Sequence, residues 1–185
     1  PSLSQVGAAV CNAVATRPGA IVTVVCAGGA VPLATDAIVR ALTAAKLPHR
    51  VASAGRSGRT PPLALPTAGE VLVVSEAQWV GEDDLTAVHD PSPEDGAVVL
   101  VHRSATLTPP VARAAAAARR HEAAFTLGPT TVAELRADTG VPTAEAERRI
   151  AATAGRADLL AALELDGSLV SDVTDRLSLL DPDAR

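Results

Sequence analysis

The chain has 185 residues, of which 48% are hydrophobic and 20% charged, and its net charge is -5 at pH 7. This length suits one compact domain, or one domain with a small appendage, and the apolar content excludes a disordered chain. The acidic balance argues against a broad nucleic-acid surface, because phosphate binding needs clustered Lys and Arg. Cys11 and Cys26 match neither a disulfide framework nor a zinc spacing, and no apolar run reaches membrane-helix length. We therefore expect a cytoplasmic protein with no membrane partner.

Apolar runs of strand length alternate with helical patterns in the first two thirds of the chain. Helical spacing predicts a first helix over 3–15, followed by a first strand over 20–27. The further predicted elements are a helix over 35–45, a strand over 50–54, a polar loop over 55–66, a strand over 70–74, a short helix over 85–89, a strand over 97–101, a helix over 110–121 and a strand over 123–127. Such runs, without period-two alternation, are typical of a parallel sheet covered on both faces.

The pattern becomes purely helical from residue 130 onward. Candidate helices cover 130–138, 143–153 and 158–163. We therefore predict an α/β core over 1–129, with a five-stranded parallel sheet and helices on both faces. A helical subdomain with a tail is predicted over 130–185.

The turn after the first strand is where a nucleotide-binding α/β domain carries a glycine-rich phosphate loop. Here the turn contains Gly28 and Gly29, and it leads to Thr35 at the position of the Ser or Thr that holds magnesium in such a loop. The lysine position of the same loop is occupied by Ala34, and the single lysine of the chain is Lys46. The turn alone therefore predicts a tight strand-to-helix connection.

Three further residues at this turn oppose a phosphate site. Pro32 has no N–H to offer to a phosphate, and Leu33 stands where the loop has its second glycine. Asp36 places a carboxylate close to the helix N-terminus, where a bound phosphate would lie.

Ser75 and Glu76 follow the predicted third strand, where a magnesium-holding strand has a carboxylate at its first polar position and often another beside it. The stretch 71–85 resembles the Walker B segment of the STAND/AAA-like P-loop ATPase domains found in large LuxR-family bacterial transcriptional regulators. In that family two acidic residues, a small residue, His or Gln, Trp and an acidic helix start follow a hydrophobic strand. This chain has Gln78 and Trp79 at the corresponding places.

The resemblance extends over about 3–163. The run 98–103 is similar to the family's fourth strand with its terminal Arg, 125–135 to the entry into a helical lid, and 151–163 to the lid helices around a Gly turn at Gly155. It implies a P-loop NTPase-like sheet in which the strand over 20–27 lies between the runs 71–74 and 97–101, followed by a lid over 130–185. It also implies vestigial nucleotide positions at Gly28, Gly29, Thr35, Glu76 and Arg103.

Because the lysine and the Walker B aspartate are replaced by Ala34 and Ser75, the resemblance implies a degenerate module. We expect no catalytic residues, no metal site, and weak or no binding of ATP and magnesium. The module would act as a regulatory or interaction domain on a protein partner or on other domains of the same regulator. Trp79 and the acidic residues 82–84 are its first candidate contact surface.

Two alternatives remain open at this point. One is a functional ATP-binding switch that uses Glu76 and backbone groups without the usual lysine. The other is a DNA-binding regulator that uses a helix-turn-helix at 131–150, where only Arg148 and Arg149 offset nearby glutamates. In the first two hypotheses DNA is contacted through a separate domain, or only weakly through 131–150.

Overall fold

The computed structural model describes residues 2–26, 29–54, 63–81, 95–103 and 107–166. These residues belong to two compact units, Pro1–Gly128 and Pro129–Arg185. The predicted short helix over 85–89 and most of the predicted loop over 55–66 lie outside the described residues. No helix in the described ranges is both long and apolar enough to cross a membrane.

The first unit alternates strands and helices as the apolar runs predict. Helix α1 covers Leu3–Thr16 and begins where Ser2 and Gln5 form a reciprocal capping box. The other elements are strand β1 at Ile21–Cys26, helix α2 at Val31–Ala44, strand β2 at His49–Ser53, strand β3 at Val71–Ser75, a 3-10 turn at Ala77–Trp79, strand β4 at Ala97–Arg103, helix α3 at Pro109–Arg120 and strand β5 at Ala124–Leu127. Helix α2 starts four residues before its predicted first residue, with Pro32 in its first turn, a position that proline favours.

The five strands form one parallel sheet in the order β2-β3-β4-β1-β5. The predicted α/β class and five-stranded parallel sheet are confirmed. The predicted neighbours of β1 are wrong in one respect, because β1 lies between β4 and β5 and does not pair with β3. Strand β4 takes the place between β1 and β3, since its residues 97–102 are all buried and need neighbours on both edges.

Helices cover both faces of the sheet. Residues in register share a face, so Ile21, Leu72 and Val98 lie together, and they pack against Val111 and Ala114 of α3. The opposite face lies under α1 and α2, which bury their valine, isoleucine and leucine side chains. The two helices are closely apposed, since a Cβ added at Gly7 would lie 2.8 Å from the carbonyl oxygen of Ala37.

The second unit is a set of three helices around a small core. Helix α4 covers Val132–Thr139, α5 covers Thr143–Thr153 and α6 covers Ala157–Asp166. A capping box between Thr131 and Glu134 starts α4. The Thr130 N–H donates to the Gly155 carbonyl at 2.7 Å, and a Cβ at Gly155 would lie 2.5 Å from Thr130 O. The core of this unit is formed by Leu135, Ala146 and Leu160, with Val132, Val141 and Ile150 packed against it.

The close approach of α1 and α2 makes the size of residue 7 critical. We expect Gly7→Val to lower the free energy of unfolding by about 2 kcal/mol, because the added methyl groups must push α2 away from α1. Urea unfolding followed by far-UV circular dichroism measures this change. Ala8→Val is the control for a valine in α1 without close packing, because residue 8 is exposed on the same helix. Equal losses in the two variants would contradict the close packing.

Candidate functional site

The carboxyl end of the sheet brings the candidate residues to one edge of the molecule. From β1 the chain continues into α2 and on to β2, whereas from β4 it continues into α3, on the other face, and on to β5. Ligands of open α/β sheets bind outside the carboxyl ends of the strands at such a point of divergence. Cys26 and Arg103, the last residues of β1 and β4, are in register there. We call this region the carboxyl edge.

Thr35 and Ser75 meet directly at this edge. Strands β1 and β3 are separated by β4, and hence by about 10 Å. Helix α2, which follows β1 and covers one face of the sheet, carries Thr35 toward the end of β3. The buried Thr35 hydroxyl hydrogen-bonds to the carbonyl oxygen of Val31 at 2.9 Å and to Ser75 Oγ at 3.2 Å. The two hydroxyl groups at the positions that hold magnesium in P-loop ATPases therefore bind each other.

Glu76 and Arg103 form a two-point ion pair beside them. The Arg103 guanidinium donates to Glu76 Oε1 at 2.8 Å and to Oε2 at 3.2 Å, and this hydrogen bonding raises the pKa of Arg103 above its ordinary value. Gln78 completes the arrangement, because its amide nitrogen donates to Glu76 Oε2 and its amide oxygen accepts from the Arg103 backbone N–H at 3.2 Å. We call Glu76, Gln78 and Arg103 the edge cluster.

The backbone of Glu76 is held in an uncommon conformation. Its φ of 54° lies in the left-handed region, which costs a residue with a side chain about 1 kcal/mol or more. The conformation turns the chain from β3 into the Ala77–Trp79 turn. Trp79, at the end of that turn, is 42% exposed. The edge cluster therefore lies directly before an exposed aromatic side chain.

The described part of the turn between β1 and α2 differs from a phosphate loop at its helical end. Gly28 lies outside the described residues, and Gly29 is exposed in the turn. Because α2 already begins at Val31, the Ala34 N–H donates to the Ala30 carbonyl at 2.9 Å. The Ala34 side chain is also fully buried, so the predicted lysine position does not face solvent.

Two buried titratable groups lie at the same edge, on opposite faces of the sheet. Burial, and then the negative charge of Glu76, raises the pKa of the Cys26 thiol to about 12. His102 is 2% exposed, and burial lowers its pKa below the ordinary value. Among the described residues, no three His, Cys, Asp or Glu side chains come together as a metal site requires.

Gln78 and His102 were not among the predicted site residues. Gln78 was named only as one of the residues in which 71–85 resembles the family. Its hydrogen bonds to Glu76 and to the Arg103 backbone depend on the left-handed turn at Glu76. The position of His102 inside an otherwise apolar run was a signal for burial, because a histidine between Val101 and Arg103 in a central strand must face one of the covered faces.

The predicted helix-turn-helix segment does form two helices, α4 and α5, with Gly140 at a φ of 72° between them. The arginines of α5 are neutralised on the helix itself. Glu145 pairs with Arg148 at 2.5 Å and with Arg149 at 2.7 Å, and the hydrogen bond from Arg149 lowers the pKa of Glu145. The segment therefore has two helices joined by a glycine turn, and Glu145 neutralises Arg148 and Arg149 of α5.

The chain has no detected match among known proteins. A scan against protein-family models, a search of curated proteins and a search of solved structures each found no match to the chain. Its function is therefore inferred from its own residues and from the resemblance of 71–85.

The ion pair of the edge cluster should contribute measurably to stability. In a double-mutant cycle of Glu76→Gln and Arg103→Met, we expect a coupling of about 1 kcal/mol, since two hydrogen bonds join partly buried side chains. Urea unfolding of the four proteins measures it. The pair Arg50 and Glu70, joined by one contact at 3.1 Å, is the comparison, with an expected coupling of at most about 0.5 kcal/mol. A smaller coupling at Glu76 than at Glu70 would contradict the two-point geometry.

The Cys26 thiol should be unreactive in the folded protein, because burial keeps it protonated at neutral pH. In Cys11→Ser, a thiol reagent at about pH 8 should label Cys26 at least tenfold more slowly in the folded protein than in urea. In Cys26→Ser, the remaining Cys11 is partly exposed and should react in the folded state. Fast labelling of Cys26 without denaturant would show that the edge opens readily.

Proposed function

We propose that the chain is a regulatory or protein-interaction module with a P-loop-ATPase-like fold and weak or no nucleotide binding, as the LuxR-family resemblance of 71–85 implies. The observation that carries the proposal is the internal pairing at the carboxyl edge. Thr35 bonds to Ser75, and Glu76 bonds to Arg103 and Gln78. The side chains at the positions that would hold magnesium and phosphate are satisfied by each other.

The start of α2 also supports the proposal. A phosphate loop presents several free N–H groups before its helix begins. Here Pro32 has no N–H, the Ala34 N–H is used within α2, and the Ala34 side chain is buried. The residues present do not fit a magnesium–nucleotide group, so no chemical step is assigned to one.

An interaction role agrees with the exposed Trp79 at the end of the turn beside the edge cluster. Tryptophan is enriched at the energetic centres of protein interfaces, and Trp79 follows the edge cluster directly and is exposed. The partner is either another protein or another domain of the same regulator, and the helical unit 129–166 takes the place of the family's lid. The acidic residues 82–84, which we predicted as part of this surface, lie outside the described residues.

The alternatives have less support. An ATP-binding switch would need Glu76 to be available to a water or to magnesium, whereas Arg103 and Gln78 occupy both of its oxygens. A DNA-binding role would need Arg148 and Arg149, which Glu145 neutralises. Neither alternative is adopted.

Titration with a fluorescent ATP analogue, with and without magnesium, tests the proposal. We expect no saturable magnesium-dependent binding below about 1 mM, which corresponds to a binding free energy weaker than about -4 kcal/mol, because Ala34 replaces the lysine and Pro32 removes one N–H donor from the turn. Glu76→Gln should leave this result unchanged. Saturable binding or ATP turnover that Glu76→Gln abolishes would favour the ATP-binding switch instead.

A second comparison separates loss of side chains from loss of backbone shape. If only side chains were missing, Ala34→Lys combined with Ser75→Asp would raise the affinity for the analogue at least about tenfold. We expect no such gain, because the helix already occupies positions 31–34. Circular dichroism must show that the double variant is folded, and Ser75→Asp alone is the matched control for the added charge.

A further inference from the structure

His102 is unusual among the buried polar groups of this protein. Within the described residues, its Nε2 is the one buried side-chain nitrogen or oxygen that has no hydrogen-bond partner. Its Nδ1 lies 2.9 Å from the carbonyl oxygen of Arg103. Because a carbonyl only accepts, Nδ1 carries the proton, and Nε2 is left with a bare lone pair. Such a group needs an explanation beyond packing.

The surroundings of His102 oppose a positive charge on its ring. Val98, Leu100 and His102 are spaced two residues apart along β4, so they share one face of the sheet. That face packs against α3, and the His102 ring therefore lies on it. Strand β5 and the Ala77–Trp79 turn carry no titratable residue, and the one titratable residue of β1, Cys26, lies on the opposite face of the sheet. The carboxylate of Glu76, which directly follows β3, is bound to Arg103. Helix α3 contributes only positive charges, from Arg113, Arg119 and Arg120.

His102 is joined to the edge cluster through the backbone of Arg103. The Arg103 carbonyl accepts from the His102 ring, its N–H donates to Gln78, and its guanidinium holds Glu76. A protonated ring would have a new N–H at Nε2 with no acceptor among the described residues, so protonation disfavours the packed position of the end of β4. We propose that His102 is an acid-sensitive latch, whose protonation opens the carboxyl end of β4 and releases the edge cluster and the Ala77–Trp79 turn.

The direction of the pH effect follows from linkage. The folded protein binds the proton of His102 less readily than the unfolded chain, whose histidine has the ordinary pKa of 6.5. The stability that the neutral ring provides is therefore complete well above pH 6.5 and is lost as the pH falls from there toward the lower folded-state pKa. In that window the folded-to-unfolded ratio should fall by up to about tenfold per pH unit.

Trp79 provides a direct readout, since it is the single tryptophan of the chain and ends the turn that the edge cluster holds. In the whole protein, we expect acrylamide quenching of Trp79 to rise about twofold between about pH 7.5 and about pH 5, while far-UV circular dichroism still reports a folded chain. His102→Asn keeps a donor for the Arg103 carbonyl and cannot titrate, so it should abolish the rise. His121→Asn, at an exposed histidine after α3, should leave the rise unchanged.

The inference rests on the proposed function in one respect, because it names a regulation of the proposed contact surface. The Trp79 quenching experiment contains no nucleotide. A negative result in it is therefore distinct from a negative result in the titration with the ATP analogue. Nitrogen-15 NMR of the imidazole of His102 covers the case in which His102→Asn does not fold. A ring that stays in the Nδ1–H form until the Trp79 signal changes supports the latch. A pH-independent Trp79 signal, a rise that persists in His102→Asn, or a ring that protonates without any change at Trp79 would overturn it.

Discussion

The complete burial of β4 is the constraint on which the remaining architecture depends. Residues 97–102 are buried without interruption, so this strand needs a neighbour on each edge and a helical layer on each face. Those requirements place β1 and β3 on its two sides, with α3 on one face and α1 with α2 on the other. They also place the end of β4 at the middle of the carboxyl edge, within reach of β3. Arg103 can therefore hold Glu76 only because β4 is central.

Among the described residues of the carboxyl edge, Thr35, Ser75, Glu76, Gln78 and Arg103 pair with one another in neutral or charge-neutralised contacts. A bond between two hydroxyl groups contributes about 1 kcal/mol, which is well below what a bound metal ion supplies to the same oxygen positions. The Thr35–Ser75 bond therefore satisfies the two groups without binding them tightly. The two-point pair of Glu76 and Arg103 is the stronger contact, and it is formed entirely within the chain. An edge of this kind can position a surface such as the Ala77–Trp79 turn without a nucleotide.

Much of the fold could be read from the sequence, because buried parallel strands appear as continuous apolar runs. All five strands lie within a residue or two of their predicted positions. The order of the strands could not be read in this way, since a local pattern does not say which strands are neighbours, and β1 was wrongly placed beside β3. The early start of α2 had a signal that the prediction did not use, namely Pro32 as a favoured first-turn residue. The pairing of Glu76 with Arg103 depends on strand order and on a left-handed backbone at residue 76, and neither is visible in a run of residue types.

The left-handed backbone at Glu76 links these observations. A residue with a side chain adopts this conformation only when its surroundings compensate for the cost, and here the compensation comes from Arg103 and Gln78. Both of these contacts depend on the position of the last residue of β4, and that position depends in turn on the ring of His102. The strain at residue 76 is therefore retained only while the end of β4 stays in the sheet. A change that moves Arg103 removes the compensation, and relaxation of Glu76 then displaces the Ala77–Trp79 turn. The exposed tryptophan is for this reason coupled to events at β4, although it belongs to the segment that follows β3.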